Sequence, residues 1–255
     1  MITIKTAEDI MSMRLSGQIL AAVLELIRKE AQPGKTPIDM AFLAKRELLR
    51  LGGKPAFLGQ PGPPPYPDII CISVNDAVQH SIPDDRPFES GDIVNFDFGV
   101  TYNRMITDGG ITVCIGESVN TNDSRLIDGT RLALEAAVDI VRDGCRVGDI
   151  SAAIEKVLRQ HNLGIVRELS GHGVGYQLHE DAPDIPNYGR PGTGPVLRAG
   201  MTIAIEPIAT LGRPAIYEDR DGWTLRTRDG SKSAQFEHTV LVTNTGCEIL
   251  TQLKR

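Results

Sequence analysis

The sequence predicts an α/β chain built from two similar halves, and three observations predict it. Segments with apolar residues at three-to-four spacing alternate with short segments in which apolar and polar residues take turns. A tight turn joins two of the latter into a central hairpin, and the order helix, helix, strand, hairpin then recurs. With 255 residues, 41% hydrophobic and 24% charged, the chain has the ordinary balance of a globular protein and enough apolar residues for a sizeable core.

Thr6 reads as a helix cap, and Ile10, Met13, Leu20, Val23, Leu24 and Ile27 give the segment from Ala7 to Ala31 one apolar face before Pro33-Gly34 stops it. A second helix runs from Thr36 or Pro37 to Leu51 and ends at Gly52-Gly53. Residues 53–68, GKPAFLGQPGPPPYPD, are too rich in proline for strand or helix and read as a loop of the kind that rims a site. Ile69 to Val74 is a short strand, and the chain passes through His80 to a turn at Pro83-Asp84-Asp85. Strands from Ile93 to Val100 and from Ile106 to Ile115 follow, joined by Thr101-Tyr102-Asn103-Arg104. Helices over Arg125 to Arg142 and Ile150 to His161 complete the second pair, with Gly144, Gly148 and Gly164 as breaks.

The recurrence reaches single residues. AAVLELIRKEAQPGK at 21–35 aligns with AAVDIVRDGCRVGD at 136–149 with one gap. Gly91 precedes Asp97 by six residues as Gly200 precedes Glu206, and Asp108 leads into ITVCIG as Glu237 leads into HTVLVT. The chain is therefore expected to form one domain over 1–255, its halves at about 7–120 and 121–250 related by an approximate two-fold and each supplying two carboxylates.

In the hairpin, a two-residue connection at Tyr102-Asn103 would pair residues whose numbers sum to 205 and set Asp97 directly opposite Asp108. Two such carboxylates repel by about 3 kcal/mol at ~5 Å and an effective dielectric of roughly 20. No Lys or Arg sits beside them, so a shared proton or a bound cation must answer the repulsion. Residues 170–180, SGHGVGYQLHE, flank His172 with glycines and place His179 seven residues on, without the i, i+4 spacing of a helical zinc motif. Converging the halves gathers Asp97, Asp108, Glu206, Glu237 and His172. Burying four negative charges uncompensated would cost several kcal/mol for each ion. Two divalent cations about 3.5–4 Å apart would balance them and activate a bridging water toward a carbonyl. Oxygen-dominated ligation with one His favours Mn, Fe or Co over a thiolate zinc site. There is no GxSxG, no Walker loop, and no GxGxxG before a helix, so hydrolysis by an activated water meets no competing motif.

These residues fall in an order that resembles the type I methionine aminopeptidases over nearly the whole chain: IKTAEDI at 4–10, CISVNDAVQHSIPDD at 71–85, GDIVNFD at 91–97, TDGG around Asp108, GHGVG and HE within 171–180, GMTIAIEP at 200–207, DGWT from 221 and SAQFEHTVLVT to 243. The resemblance implies the pita-bread fold, a curved antiparallel sheet backed by helices with an internal pseudo-two-fold. It implies Asp97, Asp108, His172, Glu206 and Glu237 as ligands of two divalent metals (Co, Mn, Fe, Zn or Ni), with Asp108 and Glu237 bridging and Glu206 also the proton acceptor for the attacking water. His80 is implied near the scissile amide and His179 at the oxyanion, while His161 and His238 are left to structure. Tyr66, Cys71, Leu178 and Trp223 fall at substrate-pocket positions. The implied substrate is the initiator methionine of nascent polypeptides, met at the ribosome, before a small second residue.

Only 26 residues separate His179 from Glu206, without the insertion of type II members, and the first helix begins almost at Met1, so a free-standing bacterial-type monomer is expected. The departures concern the pocket: Pro63-Pro64-Pro65 with only Tyr66 kept, Leu178 for an aromatic, Ile106 for a His, Ser81 for a Gly, and Ala182 added after His179-Glu180. A proline-specific relative is the alternative, though such enzymes carry a separate N-terminal domain and here the 96 residues before Asp97 are used by the first half. A non-catalytic binding module is a third reading, set against the retention of all five ligand positions. A formal charge of −6 without a basic run speaks against a nucleic-acid partner. An acidic N-terminal segment and the lack of an apolar run near ~18 residues lead to the expectation of a cytoplasmic protein without a membrane partner. Cys71, Cys114, Cys145 and Cys247 lack metal or disulfide spacing and read as buried thiols.

Overall fold

A computed structural model describes residues 2–116 and 120–253. Four helices, α1 (Ala7–Glu30), α2 (Pro37–Arg50), α3 (Thr121–Val138) and α4 (Val147–Gln160), surround strands β1 (Lys54–Pro55), β2 (Ile70–Val74), β3 (Ala77–Gln79), β4 (Ile93–Tyr102), β5 (Met105–Cys114), β6 (Gly164–Ile165), β7 (Ser170–Gly173), β8 (Glu180–Pro186), β9 (Thr202–Ile205), β10 (Ile208–Thr210), β11 (Ile216–Glu218), β12 (Leu225–Thr227), β13 (Ser233–Gln235), β14 (Glu237–Val242) and β15 (Cys247–Ile249). The class is the mixed one expected. The main sheet is antiparallel in the order β1-β4-β5-β14-β9-β7-β8, with β2 on β4 and β15 on β14.

Both first helices start where their caps dictate. Thr6 and Thr36 each accept the amide three residues on, from Asp9 and Asp39, whose carboxylates accept back from the threonine amides. α1 buries Leu20, Val23, Leu24 and Ile27 against α2 and the β4–β5 hairpin, where Val94, Phe96, Phe98 and Val100 complete one core, and Met13 in a smaller cluster with Met105, Leu241 and Leu250. A second core lies under α3 and α4, around Leu126, Leu134, Ile150, Ile154, Leu158, Ile203 and Val240. The expectation that no apolar run nears membrane-crossing size is corrected: α1 is long and apolar enough by length and composition. Arg14 and Glu25 are its only charged residues between 10 and 27, and just over half of its apolar window is buried within the fold.

Three expected elements shift, each for an identifiable reason. The hairpin turn falls on Asn103-Arg104, one residue later, because both adopt left-handed backbone (φ 45° and 68°) as a two-residue turn requires, while Tyr102 stays in the strand and packs on the first core. α3 begins at Thr121, with the Asn120 side chain accepting the Asn122 amide, and stops at Val138 instead of Arg142. Beyond it the amides of Asp143 and Gly144 donate to Thr243 and Leu197, so tertiary partners take the bonds that a longer helix would need. α4 starts three residues early because the Asp149 carboxylate accepts the Arg146 amide at 2.9 Å.

Candidate metal and substrate site

Strand register brings the five expected ligand residues onto one face. Sums of 207 across β4 and β5 set Asp97 opposite Gly110 and Asp108 opposite Gly99, so the direct Asp97–Asp108 pairing expected from the earlier turn is corrected to a diagonal one. A one-residue shift of the turn moves the register by two, which preserves the face. Glu237, first in β14, pairs with the same Gly110 from the other side. In β9 Ala204 pairs with His172 of β7, and Glu206 stands one residue past the strand end on the parity of Ala204. Five neighbouring strands, β4, β5, β14, β9 and β7, thus deliver one polar residue each.

Gly110 makes room for this row. A Cβ there would lie 2.1 Å from the Gln235 side-chain oxygen, the group that accepts from Asn95 Nδ2 at 2.8 Å while Gln235 Nε2 donates to Glu237 Oε2 at 2.9 Å.

The cluster is buried and short of partners. Asp97, Asp108, His172 and Glu237 are each no more than 6% exposed, and the Glu206 side chain is 12% exposed. His172 Nδ1 lies 3.0 Å from the Gly173 carbonyl, which turns Nε2 toward Asp108 Oδ2 at 3.9 Å and Glu206 Oε1 at 3.7 Å. Among the described residues, Asp97 Oδ1 and Glu237 Oε1 have no hydrogen-bond partner. One side-chain atom each from Asp108, His172 and Glu237 lies within 4.8 Å of the others.

Burial pushes Asp108 up to about 7, and it raises Asp97, Glu206 and Glu237 well above the carboxylate range, each helped by its acidic neighbours. The same burial lowers His172 to about 3, leaving a neutral imidazole free to ligate. Four crowded carboxylates, orphaned oxygens and an imidazole aimed among them fit divalent cations.

Beside the cluster lies an apolar wall of Tyr66, Cys71 and Leu178, all buried, with Trp223 at its rim. The Tyr66 hydroxyl lies 3.0 and 2.9 Å from the carbonyl oxygens of Ile70 and Ser81. The Tyr66 ring meets Trp223 edge-on at 5.0 Å, and the Trp223 indole donates to the Pro64 carbonyl at 2.8 Å. The proline-rich loop is thereby tied over the pocket. Pairing of Gln79 with Leu225 brings His80 to Trp223, ring centroids 6.5 Å apart, and His80 takes left-handed backbone (φ 58°) to face the cavity. His179 sits opposite, 4.2 Å from the His172 ring. Burial lowers both free histidines, His80 to about 4, so both are neutral near pH 7.

Every expected site residue lines this one pocket; Phe57, Gln60 and Pro61 also line it and were missed. All three lie in the proline-rich loop read as a rim, but nothing in a run without periodicity says which of its side chains turn inward. His161 and His238 lie outside it: His161 Nδ1 is 2.9 Å from the Val157 carbonyl at the end of α4, and His238 Nδ1 is 3.0 Å from Thr251 Oγ1. Among the cysteines, Cys71 and Cys145 are buried but Cys114 and Cys247 only half-buried, which corrects the expectation of four buried thiols; all are free.

Comparison with known proteins gives a consistent result. Residues 11–244 match the model of metallopeptidase family M24. The methionine aminopeptidase of Mycoplasma capricolum is 39% identical over 255 residues, covering all of both chains. The crystal structure of methionine aminopeptidase from Thermotoga maritima superposes with a TM-score of 0.96 at 42% identity, over 99% of this chain and all of that one. A more distant likeness, to the prolidase from Pyrococcus furiosus, concerns the fold alone: TM-score 0.78, 24% identity, 99% of this chain and 66% of that one.

Proposed function

The chain belongs to metallopeptidase family M24 and shares its pita-bread fold, and from that membership we propose that it is a methionine aminopeptidase removing the initiator methionine of polypeptides in the cytoplasm. The observation that carries the reading is the gathering of four buried carboxylates and one neutral imidazole on a single sheet face beside a closed apolar wall.

In this reading Asp97, Asp108, His172, Glu206 and Glu237 would hold two divalent cations. When bound, the cations supply Lewis acidity toward the scissile carbonyl and a water nucleophile at neutral pH. The methionine side chain enters among Tyr66, Cys71, Leu178, Trp223 and Phe57, where a flexible thioether suits an irregular aromatic pocket. Glu206, at the edge of the cluster, takes the proton of the attacking water and passes it to the leaving amine. His80 and His179, neutral and outside the ligand set, donate to the substrate amide and to the developing oxyanion. The residue after the methionine would lie by His80, His179 and Trp223, and a small one is expected there.

Release of free methionine from Met-Ala-Ser by protein loaded with Mn or Co tests the reading. Glu206→Gln is expected to lower kcat by about 10²–10⁴-fold. Wild-type release no faster than this variant overturns the assignment, and cleavage of Xaa-Pro peptides without methionine release moves it to the proline-specific relatives.

A further inference from the structure

The IKTAEDI segment has no part in the site as described, yet Lys5 is among the most buried charged residues described. Its side chain is wholly inaccessible, and it enters the fold from the N-terminal side to meet Glu180, the residue directly after His179. Lys5 Nζ lies 2.6 and 2.8 Å from the two Glu180 oxygens. Thr3 Oγ1 donates to Glu180 Oε2 at 2.5 Å and also accepts from Lys5 Nζ. The second face of the ammonium looks onto the Tyr176 ring, 5.0 Å away, and the Tyr176 hydroxyl donates to Asp9 at the start of α1.

The loop clamped in this way carries the catalytic candidates. Residues 175–179 connect the His172 strand to the Glu180 strand and contain Leu178 of the pocket and His179. Glu180 Oε1 also accepts the Tyr176 amide at 3.0 Å, so one carboxylate closes the loop on itself while holding Lys5. Gly175 takes φ 145°, and a Cβ there would lie 2.4 Å from Lys5 Cε, so the loop backbone rests directly on the lysine stem. The Gly175 carbonyl accepts the Ile106 amide, two residues from Asp108. The segment itself is pinned by the Lys5 amide donating to the Gly200 carbonyl at 2.8 Å. His179 is exposed, and among the described residues its side chain makes no hydrogen bond that would fix its place. Its position is set from beneath.

We infer that Lys5 and Glu180 are positioning residues for the reaction: their buried ion pair, seated between the N-terminal segment and the loop 175–179, fixes where His179 and Leu178 stand relative to the carboxylate cluster. The inference rests on the methionine aminopeptidase reading, in which His179 contacts the reacting amide. It makes the N-terminal segment part of the active-site architecture, and substitutions there act through His179.

The test is steady-state methionine release from Met-Ala-Ser by the full chain, loaded with Mn, for wild type, Lys5→Met, Lys5→Arg, Glu180→Gln, His179→Ala and the Lys5→Met/His179→Ala pair. Mn binding is followed by calorimetry alongside. Lys5→Met is expected to lower kcat by about 10- to 100-fold, the cost of a misplaced group, with KM within about threefold and Mn affinity unchanged. Lys5→Arg restores most of the rate, and in the His179→Ala background Lys5→Met produces no further fall. Should Lys5→Met not fold, Glu180→Gln, which keeps the side-chain size but removes the charge and one of the two acceptor oxygens, replaces it in the same cycle. Unchanged kcat in the Lys5 and Glu180 variants, or losses that multiply with that of His179→Ala, overturn the inference alone. Wild-type protein that releases no methionine overturns the reading and the inference together.

Discussion

Asp108 carries the clearest pH consequence of the site. Burial raises it to about 7 in the metal-free fold, from a usual value of about 4 in an unfolded chain. Between those values the folded state holds a proton that the unfolded state has released, so the contribution of this group is full below pH ~4 and is lost as pH rises through ~7. Asp97, Glu206 and Glu237 shift in the same direction. The lowered histidines act oppositely, but only below about 6.5, where an unfolded histidine takes up its proton. The melting temperature of chelator-treated protein is therefore expected to fall as pH rises from about 6.5 through 7, above the range in which the histidines act, and a flat or rising trend there in scanning calorimetry would contradict the burial of unpaired carboxylates. At this scale most of the candidate site was legible, because four acidic residues recur at matching places along the sequence and lie without a Lys or Arg beside them. Phe57, Gln60 and Pro61 were not legible, since their approach depends on the Trp223–Pro64 contact, which links residues far apart in sequence.

The hairpin shows what an element can and cannot reveal. Alternation fixed the faces of β4 and β5, and parity carried both aspartates inward even though the turn was placed one residue early. The choice of Asn103-Arg104 over Tyr102-Asn103 depends on Tyr102 packing in a core that lies elsewhere in sequence. The end of α3 was hidden for the same kind of reason, because Thr243 and Leu197 claim the amides. The caps of α1 and α2 were readable, being local. Gly110→Ala is expected to destabilise the fold by about 1–3 kcal/mol, the range for overpacking, and to weaken Mn binding by displacing Gln235 from Glu237. Thr36→Ala, at an exposed cap far from the pocket, is expected to cost about 1 kcal/mol and leave Mn binding unchanged. Urea unfolding and calorimetric titration of both variants separate the two effects, and equal Mn affinities would contradict the role given to Gly110.

For the whole molecule, two cores flank one sheet, and the sheet's central strands bring carboxylates from both parts of the chain to a common face. Such an arrangement carries a repulsive cluster at its middle, and cations that bind only the folded state relieve it. Mn at about a thousand times its dissociation constant is expected to add about 4 kcal/mol to unfolding stability, with EDTA reversing the gain in the same denaturation experiment; an unchanged midpoint would contradict the coupling of site and fold. The most direct measurement is anomalous diffraction from crystals soaked in manganese. The account predicts two peaks about 3.5–4 Å apart among Asp97, Asp108, His172, Glu206 and Glu237. A cluster without anomalous density, or manganese bound only elsewhere on the molecule, would contradict it.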